Sequence, residues 1–473
     1  MIGLEVHIHL STKTKAFCGC STEFGAQPNT HVCPVCLGFP GSLPVLNKTA
    51  LEYAVKVGLA INCSVQEYTK FDRKHYYYPD LPKNYQISQY DLPVSKDGFL
   101  DISVDNNLKR IRIKRAHLEE DAGKLIHTDN VSFVDLNRAG IPLLEIVSEP
   151  DINSPQEAYA YLTALKSIVE YLDVSDCDME KGSLRCDANI SIRKKGETIL
   201  GTKAELKNMN SFKGVKDALA YEIVRQENAL ENGQAIVQET RLWDAKELKT
   251  LPMRTKEEAR DYRYFPEPDL PPFIIKQDKI NQIKQSIPEL PEEKSQRFMK
   301  EYGLSEYDAG ILVSNKNNAA YAEDCFKAYK DKNKKSVANW LIGPLAGAAS
   351  SMASEISKVN ISPDNLCELI DLVEHKQVIS NLTGKAVLEE MASSGKTAVM
   401  IIQEKNLAQI SDEGALDQEI GAVIDANAKS VADYRAGKTN ALMFLVGQVM
   451  KKTGGKANPK IVQEMLKRRL ESA

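Results

Sequence analysis

Long apolar runs are missing from this 473-residue chain. None approaches the roughly 20 residues that cross a bilayer as a helix, so no membrane span is expected. A strong charge of either sign is missing too. The formal net charge is −4, so no global basic field marks a nucleic-acid binder, and any RNA contact must use local patches. Met1–Leu10 has neither the basic start nor the long apolar stretch of a signal peptide, and the expected location is cytoplasmic. Internal repeats and low-complexity tracts are also absent. So is a complete phosphate-binding loop: Ser394-Gly-Lys-Thr397 resembles the end of one, but Glu390 stands where its first glycine belongs. A helical pattern rather than a strand precedes it, and Gly437-Lys-Thr439 fails for the same reason. ATP, if bound, is held by other means.

What is present suffices for two or three packed domains, with 42% hydrophobic residues. To about residue 290 the chain shows short alternating segments punctuated by Gly, Pro and Asn. Leu100, Ile102 and Val104 alternate, Asn106-Asn107 can turn, and Ile111 and Ile113 resume the alternation. Helices are expected at 154–172, capped by Ser154 with Pro155 in its first turn, and at 213–231. Ile287-Pro-Glu-Leu-Pro291 reads as a boundary. Beyond it the pattern is helical: 292–301, 317–331, 336–357, 363–373, then a compact block from about 376. There Ala441–Met450 ends at Gly454-Gly455, and Asn458 caps a final helix with Pro459 in its first turn. The expectation is an α+β domain over 1–290, a helical domain over 291–375 and a helical tail over 376–473.

Nine cysteines are present, and four fall within the first 36 residues. Cys18-Gly-Cys20 and Cys33-Pro-Val-Cys36 form two thiolate pairs across a short loop, which can converge tetrahedrally on Zn²⁺. Four thiolates leave no open position, so the zinc is expected to be structural. The alternative is four unligated thiols in a reducing compartment, and His31 stands nearby as bystander or substitute ligand.

Residues two apart on a strand share a face. Around Leu4–Leu10 that rule separates Leu4, Val6, Ile8 and Leu10 from Glu5, His7 and His9. It places Glu145 and Glu149 on one face of Leu143–Glu149. Arg185, Asp187, Asn189, Ser191 and Arg193 stand opposite Cys186, Ala188, Ile190 and Ile192, and Lys203, Glu205 and Lys207 oppose Ala204 and Leu206. Such faces are either the solvated side of an antiparallel sheet or a Mg²⁺–nucleotide site, where carboxylates hold metal and cations hold phosphate. Glu119 and Glu120 would point opposite ways in a continuing strand, so only one of them ligates. The aromatic and basic loop from Phe71 to Tyr90 either stacks a base and binds phosphate or packs onto the core. Arg260–Pro272 reads as a packed extended segment. Residues 451–473 carry seven Lys and Arg against two Glu; on the last helix Ile461, Val462, Met465 and Leu466 face inward and leave Lys467 and Arg468 outside, either to touch an RNA backbone or to be solvated.

These motifs resemble one family. Gly3-Leu-Glu-Val-His7, the cysteine pairs with Gly38-Phe-Pro-Gly-Ser-Leu-Pro-Val-Leu-Asn47, Phe71-Asp-Arg-Lys74, Tyr78-Pro-Asp-Leu-Pro-Lys83 and Gln86-Ile-Ser-Gln89 carry the likeness. So do His117-Leu-Glu-Glu-Asp-Ala-Gly-Lys124, Pro142-Leu-Leu-Glu-Ile-Val147, Gly182-Ser-Leu-Arg-Cys-Asp-Ala-Asn189, Glu205-Leu-Lys-Asn208, Asp261-Tyr-Arg-Tyr-Phe-Pro-Glu-Pro268 and Gly454-Gly-Lys-Ala-Asn-Pro459. The chain is similar, essentially end to end, to the B subunit of the aspartyl/glutamyl-tRNA(Asn/Gln) amidotransferase.

The resemblance implies a glutamine-synthetase-like antiparallel-sheet catalytic domain followed by a helical domain and a small helical tail. It implies ATP- and Mg²⁺-dependent phosphorylation of the side-chain carboxylate of mischarged Glu-tRNA(Gln) or Asp-tRNA(Asn). Carried over by motif, Glu5, His7, Glu120 and Glu145 hold magnesium; Lys74, Glu120, Asp187 and Glu205 are catalytic; and Cys18, Cys20, Cys33 and Cys36 hold zinc. Lys456, Lys460, Lys467 and Arg468 are the expected tRNA contacts, in keeping with the family's tRNA-holding tail. No Gly-Gly-Ser-Ser amidase signature is present, so ammonia is expected from an amidase A subunit, with a small C subunit completing a heterotrimer. The competing expectation is a tRNA-holding scaffold without chemistry of its own.

Overall fold

The alternation of Ile2–His9 becomes a strand in which every second side chain is buried. The computed structural model describes residues 1–105, 107–255, 262–409, 413–454 and 456–471, in two units, Met1–Pro291 and Glu292–Ala473. In the first unit the strands are β1 (Ile2–His9), β2 (Ser64–Val65), β3 (Tyr68–Thr69), β4 (Asp72–His75), β5 (Tyr85–Ser88), β6 (Ser95–Val104), β7 (Asn107–Glu120) and β8 (Lys124–His127). They continue as β9 (Ser132–Asp135), β10 (Pro142–Ser148), β11 (Leu184–Ile190), β12 (Ala204–Lys207), β13 (Glu239–Asp244), β14 (Lys249–Thr255), β15 (Phe265–Pro266) and β16 (Phe273–Ile274).

Nine strands make one sheet, ordered β14-β13-β12-β11-β1-β10-β7-β6-β2. All neighbours are antiparallel except β12 and β13. Helices α1 (Lys48–Ala60), α2 (Pro155–Tyr171) and α3 (Phe212–Glu231) pack on it, and α4 (Gln277–Gln285) packs on α1. Ser154 accepts from the Glu157 amide and starts α2 with Pro155 in its first turn. Leu4, Val6 and Ile8 are fully buried beside residues such as Leu144, Ile146, Leu162 and Leu165, each worth about 1.5–3 kcal/mol of transfer free energy. The opposite face of the sheet is left to polar groups. This is the expected α+β class.

Two local readings shift. Val104 pairs with Asn107, so Asn107 is already strand; Asp105, at φ 51°, begins the turn instead, and Asn106 lies outside the described residues. Arg260 and Asp261 also lie outside them. Downstream, β15 pairs with β4 and Arg73 binds Glu267 at 2.7 Å, the packed extended segment that its prolines predict.

The second unit is helical. The helix expected over 336–357 runs without interruption from Lys334 to Ser351, as Lys334–Trp340, a π-turn at Leu341–Leu345 and Ala346–Ser351. Pro344 sits inside the π-turn; it lacks an N–H and crowds the preceding turn. Ser394 ends the helix Asn381–Ser394, Gly395 caps it at φ 70°, and the Thr397 hydroxyl accepts from the Met400 amide to start Ala398–Glu404. This is a helix–helix turn, with no strand to aim a phosphate loop. A separate core runs from Leu416 to Leu470. Its helix Asn440–Lys452 ends before Gly454, and Gly455 is outside the described residues. Asn458 accepts from the Lys460 amide at 3.0 Å to open Pro459–Glu471. Among the described residues no helix is long and apolar enough to cross a membrane.

Candidate active site and metal centre

Register decides which polar residues meet. His7 on β1 lies opposite Glu145 on β10 and Arg185 on β11, while Glu145 lies opposite His117 on β7. Two residues on, Glu119 shares the face of His117. His7 Nε2 is 3.4 Å from Glu145 Oε2 and 3.8 Å from Glu119 Oε1. His117 Nε2 is 3.3 Å and 3.7 Å from the same two carboxylates. One ligand atom each from His7, Glu119 and Glu145 lies within 4.8 Å of the other two. Glu119 is 3% exposed and Glu145 7%.

Adjacent buried carboxylates repel, so the pocket demands positive charge. Burial works against the His7 imidazolium, but the hydrogen bond and charge of Glu145, with Glu119 and Asp187, hold its pKa up at about 9. Burial likewise opposes charge on Glu145, and His117 and His7 nonetheless hold it well below the usual carboxylate range. Two hard carboxylate oxygens beside an imidazole suit a divalent cation.

Lys74, on β4, faces this cluster. Its ammonium lies 5.0 Å from the Tyr262 ring centre and 5.9 Å from that of Tyr76. Burial opposes its charge, yet Glu119, Tyr264 and Glu145 raise its pKa above the ordinary lysine value. Arg185 adds a second cation, donating to Asp121 Oδ2 at 2.6 Å. Its Nε is buried with no protein partner among the described residues.

The other expected acids gather further along the same face. Glu5 lies opposite Asp187 and accepts from Asn189 at 2.8 Å. Asp187 is bound by Lys207, which lies 3.6 Å from Glu205. Glu205 accepts from Thr240 at 2.9 Å. The expected set therefore divides: His7 and Glu145 with Glu119, and Glu5, Asp187 and Glu205 around Lys207.

Glu120 belongs to neither group, which corrects its assignment to magnesium and catalysis. It accepts from Lys83 Nζ at 2.5 Å and from the Ile87 amide at 2.9 Å, on the side of β7 that carries Ala116 and Leu118. The cause is a register shift. Val147 pairs with Arg115 and Ser148 with Ile113, so Lys114 is skipped and the alternation set by Ile111 and Ile113 reverses beyond it. The apolar pair Ala116 and Leu118 was the available signal. Glu119, His117, Arg185 and Lys207 are the site residues that sequence reasoning did not select.

Cys18, Cys20, Cys33 and Cys36 converge as expected, their sulfurs all within 4.8 Å of one another and those of Cys33 and Cys36 at 3.9 Å. Zn–S bonds of about 2.3 Å in a tetrahedron require sulfurs about 3.8 Å apart, so this cluster can hold a metal ion. His31 is not part of it; its backbone carbonyl accepts from Lys15 at 2.7 Å. In the second unit, Lys460, Lys467 and Arg468 are exposed and Lys456 is half-buried. Val462, Leu466 and Leu470 are buried, while Ile461 and Met465 are only partly so.

The fold and its sites define a protein with a metal-capable α+β catalytic domain and helical domains C-terminal to it. Residues 1–281 match the family model described as the GatB/GatE catalytic domain, and residues 320–470 match the GatB domain. The B subunit of the aspartyl/glutamyl-tRNA(Asn/Gln) amidotransferase from Carboxydothermus hydrogenoformans is 55% identical over 475 residues, covering 99% of this chain and 98% of that protein. The proteins of the same name from Caldanaerobacter subterraneus subsp. tengcongensis and Persephonella marina are 56% identical over 472 residues and 54% over 471. Those alignments cover 99% and 100% of this chain, and 98% and 99% of the relatives. The chain belongs to the family of aspartyl/glutamyl-tRNA(Asn/Gln) amidotransferase B subunits.

Proposed function

We propose that this chain uses ATP to phosphorylate the side-chain carboxylate of mischarged Glu-tRNA(Gln), Asp-tRNA(Asn) or both. Ammonia comes from an amidase A subunit, and a small C subunit completes a cytoplasmic heterotrimer. The observation that carries the reading is the convergence of His7, Glu119 and Glu145 from three strands beside Lys74 and Arg185.

A carboxylate is a poor electrophile, because its charge is delocalised and its oxygen leaves badly. Attack of one carboxylate oxygen on the γ-phosphorus breaks the bond to ADP and leaves an acyl phosphate. Ammonia then attacks the carbonyl carbon, loses a proton and expels phosphate, giving the amide. The first step brings two anions together, so catalysis is largely positioning and charge neutralisation. His7, Glu119 and Glu145 would hold Mg²⁺, which supplies neutralisation to the phosphoryl oxygens. Lys74 and Arg185 offer cations to the transferring group. Asp187, Glu205 and Glu5, balanced by Lys207, bind a second cation or orient the aminoacyl end. Cys18, Cys20, Cys33 and Cys36 hold a structural zinc ion. Lys456, Lys460, Lys467 and Arg468 contact the tRNA backbone from a tail over 376–473, with a helical domain over 291–375 and the catalytic domain over 1–290.

The test is phosphate release from ATP by the assembled complex with Mg²⁺, free ammonia and mischarged Glu-tRNA(Gln). Wild type should turn over only with mischarged tRNA, and Glu119→Gln should bind that tRNA without turning over. Equal turnover by both would place the chemistry elsewhere.

A further inference from the structure

Lys15 is completely buried, while the other largest fully buried side chains are aromatic or aliphatic. Among the described residues its ammonium has three partners: the His31 carbonyl at 2.7 Å, the Leu136 carbonyl at 3.2 Å and Cys36 Sγ at 3.8 Å. Carbonyls are dipoles and carry no counter-charge. A buried ammonium without an anion costs several kcal/mol. Four neutral thiols would not remove that cost. Four thiolates around a divalent cation carry a net charge of −2 and would.

The backbone around Lys15 extends the argument. The Lys15 amide donates to Cys20 O at 3.0 Å and the Ala16 amide to Gly140 O at 2.8 Å. Gly140 in turn donates to Asp121 O at 2.9 Å, and the Asp121 carboxylate binds His9 and Arg185. Gly140, at φ +87°, leaves a gap that any Cβ would narrow to 3.4 Å from Lys15 Cδ and 3.6 Å from Cys36 Cβ. One lysine thus ties the cysteine loop to the 136–140 segment and, through it, to the end of β7 that bears Glu119.

We propose that Lys15 is the counter-ion and positioning residue of a divalent metal tetrathiolate formed by Cys18, Cys20, Cys33 and Cys36. This rests on the reading of that cluster as a metal centre. The ammonium offsets the excess negative charge, its N–H group aimed at Cys36 lowers the donor strength of that sulfur, and its two carbonyl bonds hold the loop in the ligating shape. Outer-shell partners of this kind alter metal affinity by roughly 10- to 100-fold.

The experiment compares full-length wild type, Lys15→Met and Lys15→Arg by zinc competition against a chromophoric chelator and by the absorption of the Co²⁺-loaded chains. Lys15→Met should bind zinc roughly 10- to 100-fold more weakly, and its sulfur-to-cobalt charge-transfer band should move to lower energy. Lys15→Arg should recover most of both. If Lys15→Met does not fold, Lys15→Gln, neutral but still a donor to the two carbonyls, carries the same comparison. Unchanged zinc affinity and an unshifted cobalt band in a folded neutral variant would overturn the role of Lys15 alone. A wild-type chain whose cobalt form shows no thiolate charge transfer would overturn the metal centre itself, and the proposal with it.

Discussion

The two clusters of the first unit are assembled in opposite ways. The cysteine centre draws its four sulfurs from residues 18–36, a single loop whose closure needs only local turns. The acidic centre draws His7, Glu119 and Glu145 from three strands, with the acids more than a hundred residues from His7. Spacing alone therefore predicts a site closed within one loop. A site shared between strands depends on register, and one skipped residue exchanges its members.

The most demanding test of this contrast sets Glu119 against Glu120. Glu119→Gln should cut ATP turnover by about 10²–10³-fold, the usual cost of losing one group that stabilises developing charge, while leaving the thermal melt of the chain nearly unchanged. Glu120→Ala should instead cost about 3–5 kcal/mol in a denaturant melt, because it leaves Lys83 buried and unpaired. The reverse pattern would mean that the two acids have exchanged places between pocket and core.

A second test concerns the local cluster. Cys18→Ser, or treatment with a strong chelator, should lower stability by about 2.7–4 kcal/mol, the stabilisation given by a ligand at 100- to 1,000-fold its Kd. Metal content measured in parallel should fall with it. A melt indifferent to both treatments would return the four cysteines to free thiols.

The smallest effect lies in the helical unit, at a carboxylate paired with three cations of the same unit. Glu323 is opposed by burial, but hydrogen bonds from Arg297, Lys327 and Lys294 bring its pKa down to about 2. A depressed pKa contributes stability that is present above the unfolded value of about 4.5 and lost as pH falls through about 2. Glu323→Gln should therefore cost at most about 1 kcal/mol at neutral pH and flatten the decline between pH 4.5 and 2. An unchanged acid limb in urea melts would show that other carboxylates carry it.

Much of the fold is legible in short-range pattern. Ser154 with Pro155, Asn458 with Pro459 and the period-two faces of β1, β10, β11 and β12 lie close to their expected positions, since caps and pleats are decided within a few residues. Pro344 sits in a π-turn inside a helix that runs on to Ser351, a local change of winding that periodicity alone does not show. The candidate site is less legible. The polar faces of β1 and β11 stand out, and the motifs point to His7, Glu145 and Lys74, but Glu119 is displaced by its neighbour. Arg185 and Lys207 look like ordinary polar strand residues until their partners come into view.

Local pattern and long contiguous motifs are enough to fix the α+β class, the helical C-terminal part, the cysteine tetrad and the family. Three other outcomes needed the folded chain: Glu119 meets His7 and Glu145, Glu120 pairs with Lys83, and Lys15 is sealed beside Cys36. Each depends on strand register or burial, which are properties of residues far apart in the chain and have no short-range signature.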